Sequence, residues 1–326
     1  MKVLITGVTG FVGKHLAEYL LSEGVEVWGA VRPGSQVMLT KQSNVPINLV
    51  VMDLINQTDM INNLNKINPD QIYHLAGYSS VRDSWEQMQQ TFDSNVRVTV
   101  GLLESIKKSR CFDNVRVLTV GSSEEYGRVG FSHMPIREDE ELNPISPYGL
   151  SKAEVSRIAN YYYRTYGMKI IHARPFNHIG PGQRLGFVVP DFANQIVGIE
   201  KGYRENVLSV GNLDAQRDFT DVRDIVKAYY KLLSSNSIPF GEPINICSGK
   251  ANSIKYILSL LLSLARIPIE ISIDQSKIRP SDMPLYVGDC SRINEMTGWI
   301  PEIPIHETLI DVLNFIRGQS RGEAIC

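Results

Sequence analysis

Four cysteines, three tryptophans and six histidines are few for a chain of 326 residues. Cys111, Cys247, Cys290 and Cys326 stand too far apart in sequence to read as a zinc pair or a redox pair. They read as reduced thiols of a cytoplasmic protein, which argues against a disulfide scaffold, and no metal-ligand set is apparent. Neither sign of charge is in excess. The formal net charge is −2, so nothing draws the whole chain toward nucleic acid or an anionic membrane. An anionic ligand has to be held by individually placed arginines or lysines. Long hydrophobic runs are missing as well. The most apolar stretch, 256–267, is too short to span a bilayer, and behind Asn252 and Ser253 it reads as a capped, buried amphipathic helix. No leader is visible, because Met1 and Lys2 run straight into the β-branched Val3-Leu4-Ile5-Thr6. Internal repeats and low-complexity tracts are absent.

What is present is a hydrophobic share of 43% and a β-α-β rhythm. Strands are predicted at 2–6, 26–31, 48–52, 71–75, 116–120 and 169–173, with helices at 11–22, 94–109 and 147–166. This alternation predicts an α/β fold, a Rossmann-type doubly wound parallel sheet, over residues 1–174. Beyond Arg174 the rhythm breaks at a cluster of Pro and Gly. Helices at 188–201 and 253–266 and strands at 207–210 and 270–273 predict a smaller C-terminal α/β substrate domain, residues 175–220 and 248–326. The helix at 221–234 and strand at 243–246 are expected to return to the first domain.

Gly7, Gly10 and Gly13 fall between the first strand and the first helix. Glycine permits a tight turn and lets backbone N–H groups approach a pyrophosphate at a helix N-terminus. The spacing is GxxGxxG rather than GxGxxG, and the motif alone is weak. With Phe11 and Val12 it forms the candidate cofactor turn. The second strand ends at Arg32, where NAD-preferring sites place an acid. Arg32 suits a 2′-phosphate, so NADP(H) is favoured and NAD(H) is possible; the plain alternative is a solvated arginine. Asp53, with Leu54, follows the third strand and could accept from the adenine amino group. Leu75, Ala76 and Gly77 end the fourth strand beside the crevice.

Tyr148 and Lys152 are spaced to share a helix face. An ammonium near a tyrosine favours the phenolate, so Lys152 is expected to lower the Tyr148 pKa and contact the nicotinamide ribose. Ser122, just after the fifth strand, is placed to hold the same substrate oxygen. YxxxK is common by chance; joined to the glycine turn and Ser122 it points to hydride and proton exchange at a carbonyl or alcohol. Asn177 can donate to a pyrophosphate, and Arg217 and Arg279 can neutralise one, the alternative being surface arginines in ion pairs. Ser79 is a candidate sugar contact or an ordinary loop serine. Tyr161-Tyr162-Tyr163 could be a dimer surface or a core face.

This set of motifs resembles the extended short-chain dehydrogenase/reductase family, over nearly the whole chain. The runs Arg174-Pro175-Phe176-Asn177-His178-Ile179-Gly180-Pro181-Gly182, Val210 to Phe219, and Arg279-Pro280-Ser281-Asp282 resemble its GDP-mannose branch. The resemblance implies an NAD(P)-binding domain with His178 on the cofactor side, a GDP-sugar substrate, and a homodimer. Within the branch, Asn177 to Gly182 followed by Gly186-Phe187-Val188 looks more like the 4-keto reductases that make GDP-D-rhamnose. Glu124 argues the other way. It occupies the position of the catalytic glutamate of the 4,6-dehydratases, which need a carboxylate to take the proton at carbon 5. A GDP-mannose 4,6-dehydratase, a GDP-sugar 4-epimerase and an NADP-sensing regulator on the same fold remain as alternatives.

Overall fold

The computed structural model describes residues 1–35, 47–278 and 283–319. In chain order the elements open as β1 (Lys2–Thr6), α1 (Phe11–Ser22), β2 (Glu26–Val31), β3 (Asn48–Val51), α2 (Gln57–Ile67) and β4 (Gln71–His74). Short helices α3 (Val81–Ser84) and α4 (Met88–Phe92) run into a π-helical turn, Asp93–Arg97, and then α5 (Val98–Lys107). There follow β5 (Arg116–Val120), α6 (Pro147–Tyr166), β6 (Lys169–Pro175), β7 (Asn177–Ile179), α7 (Val188–Glu200), β8 (Val207–Val210), β9 (Gln216–Asp221) and α8 (Val222–Ser234). The rest comprises β10 (Pro243–Ile246), β11 (Ala251–Ser253), α9 (Ile254–Ser263), β12 (Glu270–Ile273), β13 (Leu285–Tyr286), α10 (Ser291–Thr297) and α11 (Ile305–Gly318).

The large sheet has seven strands in the order β10-β6-β5-β4-β1-β2-β3, every pair parallel. Its inner strands are covered on both faces, so nearly every residue along them is buried, whether apolar or polar. One face packs Leu16 and Leu20 of α1 with Ile225, Tyr229 and Leu232 of α8. The other packs Met60 and Leu64 of α2 with Leu102 and Ile106 of α5. The strand order reverses beside β1, so the C-terminal ends of β1 and β4 flank a crevice, the usual ligand position in such sheets.

α2 lies in a stretch where no helix was predicted. Its signals are local and readable: Asn56 caps it by accepting from the Asp59 amide, and Met60, Leu64 and Ile67 form its buried stripe. The helix predicted at 94–109 begins instead in the π-helical turn. The returning strand β10 pairs with β6. Beyond the large sheet, β11-β9-β13 with β7 on β9 forms a small mixed sheet, and β8 pairs with β12. A separate apolar core joins α7, α9 and α11, with Phe192, Ile257 and Leu313 inside it. Ile293 of α10 and the neighbouring Trp299 pack into the large-sheet core. Ser253 caps α9 by accepting from the Tyr256 amide, as expected of that apolar stretch.

Candidate active site

The crevice floor is made by close backbone approach. Gly7 has φ +76°, and a Cβ there would lie 2.8 Å from the Ala76 nitrogen; one on Gly13 would lie 2.2 Å from the Gly7 carbonyl oxygen. The turn therefore excludes side chains, leaving the end of β1 and the start of α1 open to a ligand. Gly10 is the N-cap of α1 and makes no side-chain cap bond, so the first amides of the helix point free donors and a positive dipole end at the crevice. Phe11, in the first turn, stacks parallel to the His178 ring with centroids 6.2 Å apart. Val12 is half-buried against the large-sheet core. Leu75 and Ala76 are half-buried and Gly77 is exposed, all just beyond β4. Arg32 is exposed directly after β2. Asp53 and Leu54 follow β3, and the Asp53 carboxylate accepts from the Ile55 amide at 3.0 Å.

Tyr148 and Lys152 are both buried on the first turns of α6. Ser146 caps this helix on the Gly149 amide at 3.0 Å, with Pro147 at its first position. Gly149 lets α6 close onto the 3-10 turn Ser123–Glu125, because a Cβ there would sit 2.4 Å from the Glu124 carbonyl oxygen. That contact brings the sequence-distant Ser122 side chain beside the Tyr148 phenol, where its hydroxyl can donate to the phenolate oxygen. The Lys152 Nζ donates to the Val120 carbonyl at 2.8 Å and lies 5.8 Å from the Tyr148 ring centroid.

The electrostatics differ from the expectation that Lys152 lowers the Tyr148 pKa. Burial dominates and pushes the Tyr148 phenol up, the Ser122 hydrogen bond opposes it, and the Glu124 and Glu125 carboxylates add to the rise. Burial also lowers Lys152 to about 8, with Glu125 pulling the other way. Tyr148 is thus held as a phenol through the neutral range. It is built to give a proton rather than take one.

Around these groups the structure places several residues that sequence reasoning missed. Asn95, buried in the π-helical turn, accepts from the Tyr78 amide at 2.7 Å and donates to Ser151 at 2.9 Å, tying the loop after β4 to α6. Nothing local announces it. Ser84 accepts from the Tyr148 amide at 3.2 Å. His74 bridges Thr6 at 2.8 Å and Thr99 at 3.1 Å, and burial lowers its pKa to about 3. Glu125 and Arg174 form a buried ion pair behind Ser122, and the His172 ring bonds the same carboxylate. His172 and Arg174 are legible in principle, as polar residues at i and i+2 in an otherwise apolar strand.

On the far side, Asn177 is exposed on β7 and Arg217 half-buried on β9. The Arg217 guanidinium donates to the Met283 carbonyl at 2.7 Å, and its register partner Tyr286 donates to the Ser123 carbonyl at 2.8 Å. Glu124 is half-buried on the 3-10 turn, close enough to raise both Tyr148 and Tyr286. Ser79 is exposed in the loop after β4. Arg279 lies outside the described residues. Asp218, beside Arg217, clasps the loops together by accepting from the Ser248, Gly249 and Gly288 amides and the Ser248 hydroxyl.

A sequence model described as GDP-mannose 4,6 dehydratase matches residues 4–312. The chain belongs to the GDP-mannose 4,6-dehydratase family. Its Rossmann-type sheet is the family's dinucleotide-binding architecture. Among curated relatives of this family, a GDP-6-deoxy-D-mannose reductase of Pseudomonas aeruginosa is 34% identical, covering 99% of each chain. A GDP-mannose 4,6-dehydratase of Yersinia enterocolitica is 28% identical, over 99% of this chain and 96% of that one. Among solved structures, the P. aeruginosa protein RMD complexed with NADPH has a TM-score of 0.82 at 31% identity, covering 97% of this chain and 98% of that one. The Thermus thermophilus UDP-glucose 4-epimerase complex with NAD has a TM-score of 0.83 at 25% identity, covering 98% and 100%. No helix among the described residues is long and apolar enough to cross a membrane.

Proposed function

We propose that this family member reduces the 4-keto group of GDP-4-keto-6-deoxy-D-mannose to GDP-D-rhamnose, using NADPH in preference to NADH. The observation that carries the reading is a buried, protonated Tyr148 with the Ser122 side chain next to its phenol, beside the crevice at the ends of β1 and β4. The full-length likeness to a GDP-6-deoxy-D-mannose reductase supports it. The cofactor fits the residues present: at Gly7 and Gly13 backbone packs so closely that any Cβ would clash, which keeps side chains off the turn, and the N-terminus of α1 offers uncapped donors. Gly7 to Gly13 would hold the pyrophosphate. Arg32 would hold the 2′-phosphate, Asp53 the adenine, and Leu75 to Gly77, Lys152 and His178 the nicotinamide half. Bound NADPH supplies the hydride.

Ser122 orients the substrate carbonyl by hydrogen bond, and Tyr148 gives its phenolic proton to the oxygen as charge develops there. The raised pKa of Tyr148 keeps that proton available. Lys152, fixed on the Val120 carbonyl, places a cation beside the phenol and stabilises the phenolate once the proton has left. On the sugar-nucleotide side, Asn177, Arg217 and Arg279 hold the diphosphate, while Ser79 and Glu124 face the sugar. Residues 175–220 and 248–326 supply this side, and residues 1–174 with 221–247 the cofactor side. A homodimer and a cytoplasmic setting complete the reading.

Glu124 favours one second reading. A carboxylate beside Tyr148 is what the elimination of a 4,6-dehydratase requires, and the matching family model bears that name. The test is to mix purified protein with GDP-4-keto-6-deoxy-mannose and NADPH and follow NADPH absorbance. Substrate-dependent loss supports the reductase. No loss, with GDP-mannose converted to the 4-keto sugar and no net cofactor consumed, makes Glu124 catalytic and the protein a dehydratase.

A further inference from the structure

Glu125 has no exposed surface, yet it carries a charge the proposed reduction does not use. Its bonds join the site residue Ser122 to two cationic or polar side chains behind it. One carboxylate oxygen accepts from the Ser122 amide at 2.9 Å and from the His172 Nε2 at 2.9 Å; the other accepts from the Arg174 Nε at 2.7 Å. The fold has made room for it. A Cβ on Gly121 would lie 1.9 Å from the Glu125 oxygen and 2.3 Å from the His172 ring. His172 in turn is held by Thr119 at 2.9 Å, and Arg174 by Tyr126 at 3.1 Å and Ser156 at 3.1 Å. With a carboxylate on Nε2 and a hydroxyl free to donate to Nδ1, His172 carries its proton on Nε2.

We propose that Glu125 is a positioning residue for the reduction: its buried carboxylate fixes the Ser122 backbone against Tyr148 and supplies the negative charge behind the Tyr148–Lys152 pair. Ser122 caps the 3-10 turn on the Glu124 amide at 3.2 Å, while Glu125 returns to the Ser122 amide. The reciprocal bonds lock the residue whose hydroxyl meets the phenol. Burial pushes the Glu125 carboxyl up, but His172, Arg174 and the Ser122 amide outweigh it, so the group stays ionised. An anion there favours the Lys152 ammonium and opposes a Tyr148 phenolate. The other titratable groups facing the pair are Glu124 on the same turn, His74 on β4, His172 on β6 and Tyr229 on α8. Those facing Glu125 are His172, Arg174, Tyr126 and Tyr286.

Two variants separate the roles. Glu125→Gln keeps the shape and removes the charge, whereas Glu125→Asp keeps the charge and shortens the reach to Ser122. The first readout, independent of activity, is the ε-carbon NMR titration of Lys152 in carbon-13 lysine-labelled protein, assigned by its loss in Lys152→Met. It is expected near pH 8 in wild type and in Glu125→Asp, and roughly one pH unit lower in Glu125→Gln. The second is NADPH-dependent turnover across pH, which rests on the reductase reading. Both variants should lose roughly tenfold to a hundredfold in kcat at unchanged KM for NADPH. Only Glu125→Gln should move its basic limb to lower pH. An unmoved Lys152 titration in Glu125→Gln overturns the electrostatic role, and wild-type kcat in Glu125→Asp overturns the positioning role. Should Glu125→Gln fail to fold with Arg174 unpaired, Glu125→Gln combined with Arg174→Met removes both buried charges and is read the same way. A wild type that consumes no NADPH sinks the reductase reading, while the Lys152 titration still decides Glu125.

Discussion

Replacing Tyr148 with phenylalanine deletes a single oxygen from a nearly enclosed side chain. The ring keeps its place on α6, because the Ser84 hydroxyl holds the residue by its backbone amide at 3.2 Å. The most that is lost is one contact with the neighbouring Ser122 hydroxyl, and Ser122 still accepts from the Glu124 amide at 3.2 Å. The stability cost is therefore at most that of one neutral hydrogen bond, about 1 kcal/mol, which for a chain this long lowers Tm by no more than about 2–4 °C. The kinetic cost is far larger. A positioned general acid contributes about 10²–10⁴ in rate, equivalent to roughly 2.7–5.4 kcal/mol of barrier. The assay is steady-state NADPH loss with the 4-keto sugar, beside a thermal melt of the same preparation. The expected result is a kcat down about 10²–10⁴-fold, an unchanged KM for NADPH and a nearly unchanged melt. Wild-type turnover in Tyr148→Phe would refute the assignment of the proton donor. A comparable loss in KM for NADPH would place the residue in cofactor binding instead.

Gly13→Ala puts a methyl 2.2 Å from the Gly7 carbonyl oxygen, so NADPH affinity by fluorescence titration should fall by about tenfold or more, each tenfold being about 1.4 kcal/mol. Arg32→Glu removes a cation at the end of β2 and introduces the acid typical of NAD sites; the ratio of kcat/KM for NADPH over NADH should drop below unity, and an unchanged ratio removes Arg32 from the 2′-phosphate. Lys152 has its pKa lowered by burial to about 8 from 10.5. Between these values the unfolded chain binds more protons than the folded one, so this group makes stability rise with pH across that window. Lys152→Met should therefore melt higher than wild type below pH 8, with the advantage shrinking toward pH 10.5, and should lose turnover throughout. A melt difference that does not vary with pH would show that Lys152 is not buried as a charge.

The dinucleotide half was legible because its signals are local. A β-branched run, a glycine turn and a helix repeat within about twenty residues at Lys2–Ser22, and strand and helix periodicity needs no distant partner. Tyr148 and Lys152 were readable for the same reason, since one helical turn sets their common face. Arg174 and His172 were visible in the sequence but not their purpose, because the carboxylate that joins them stands 47 and 49 residues away. The tyrosine run on α6 shows the same limit. Tyr161 and Tyr163 are exposed, whereas Tyr162 turns inward to donate to Glu104, a division set by what packs against the helix.

By itself the sequence determined the β-α-β rhythm of the first half, the open glycine turn, and the chemical types gathered at Ser122, Tyr148 and Lys152. Only the tertiary structure decided how those types behave. The expected acidification of Tyr148 by Lys152 gave way to a phenol held protonated, because enclosure penalises the phenolate more than the neighbouring hydrogen bond repays. Burial, and the placing of Asn95, His74 and Glu125 around the pair, come from contacts between segments far apart in the chain. Short-range patterning carries no record of them.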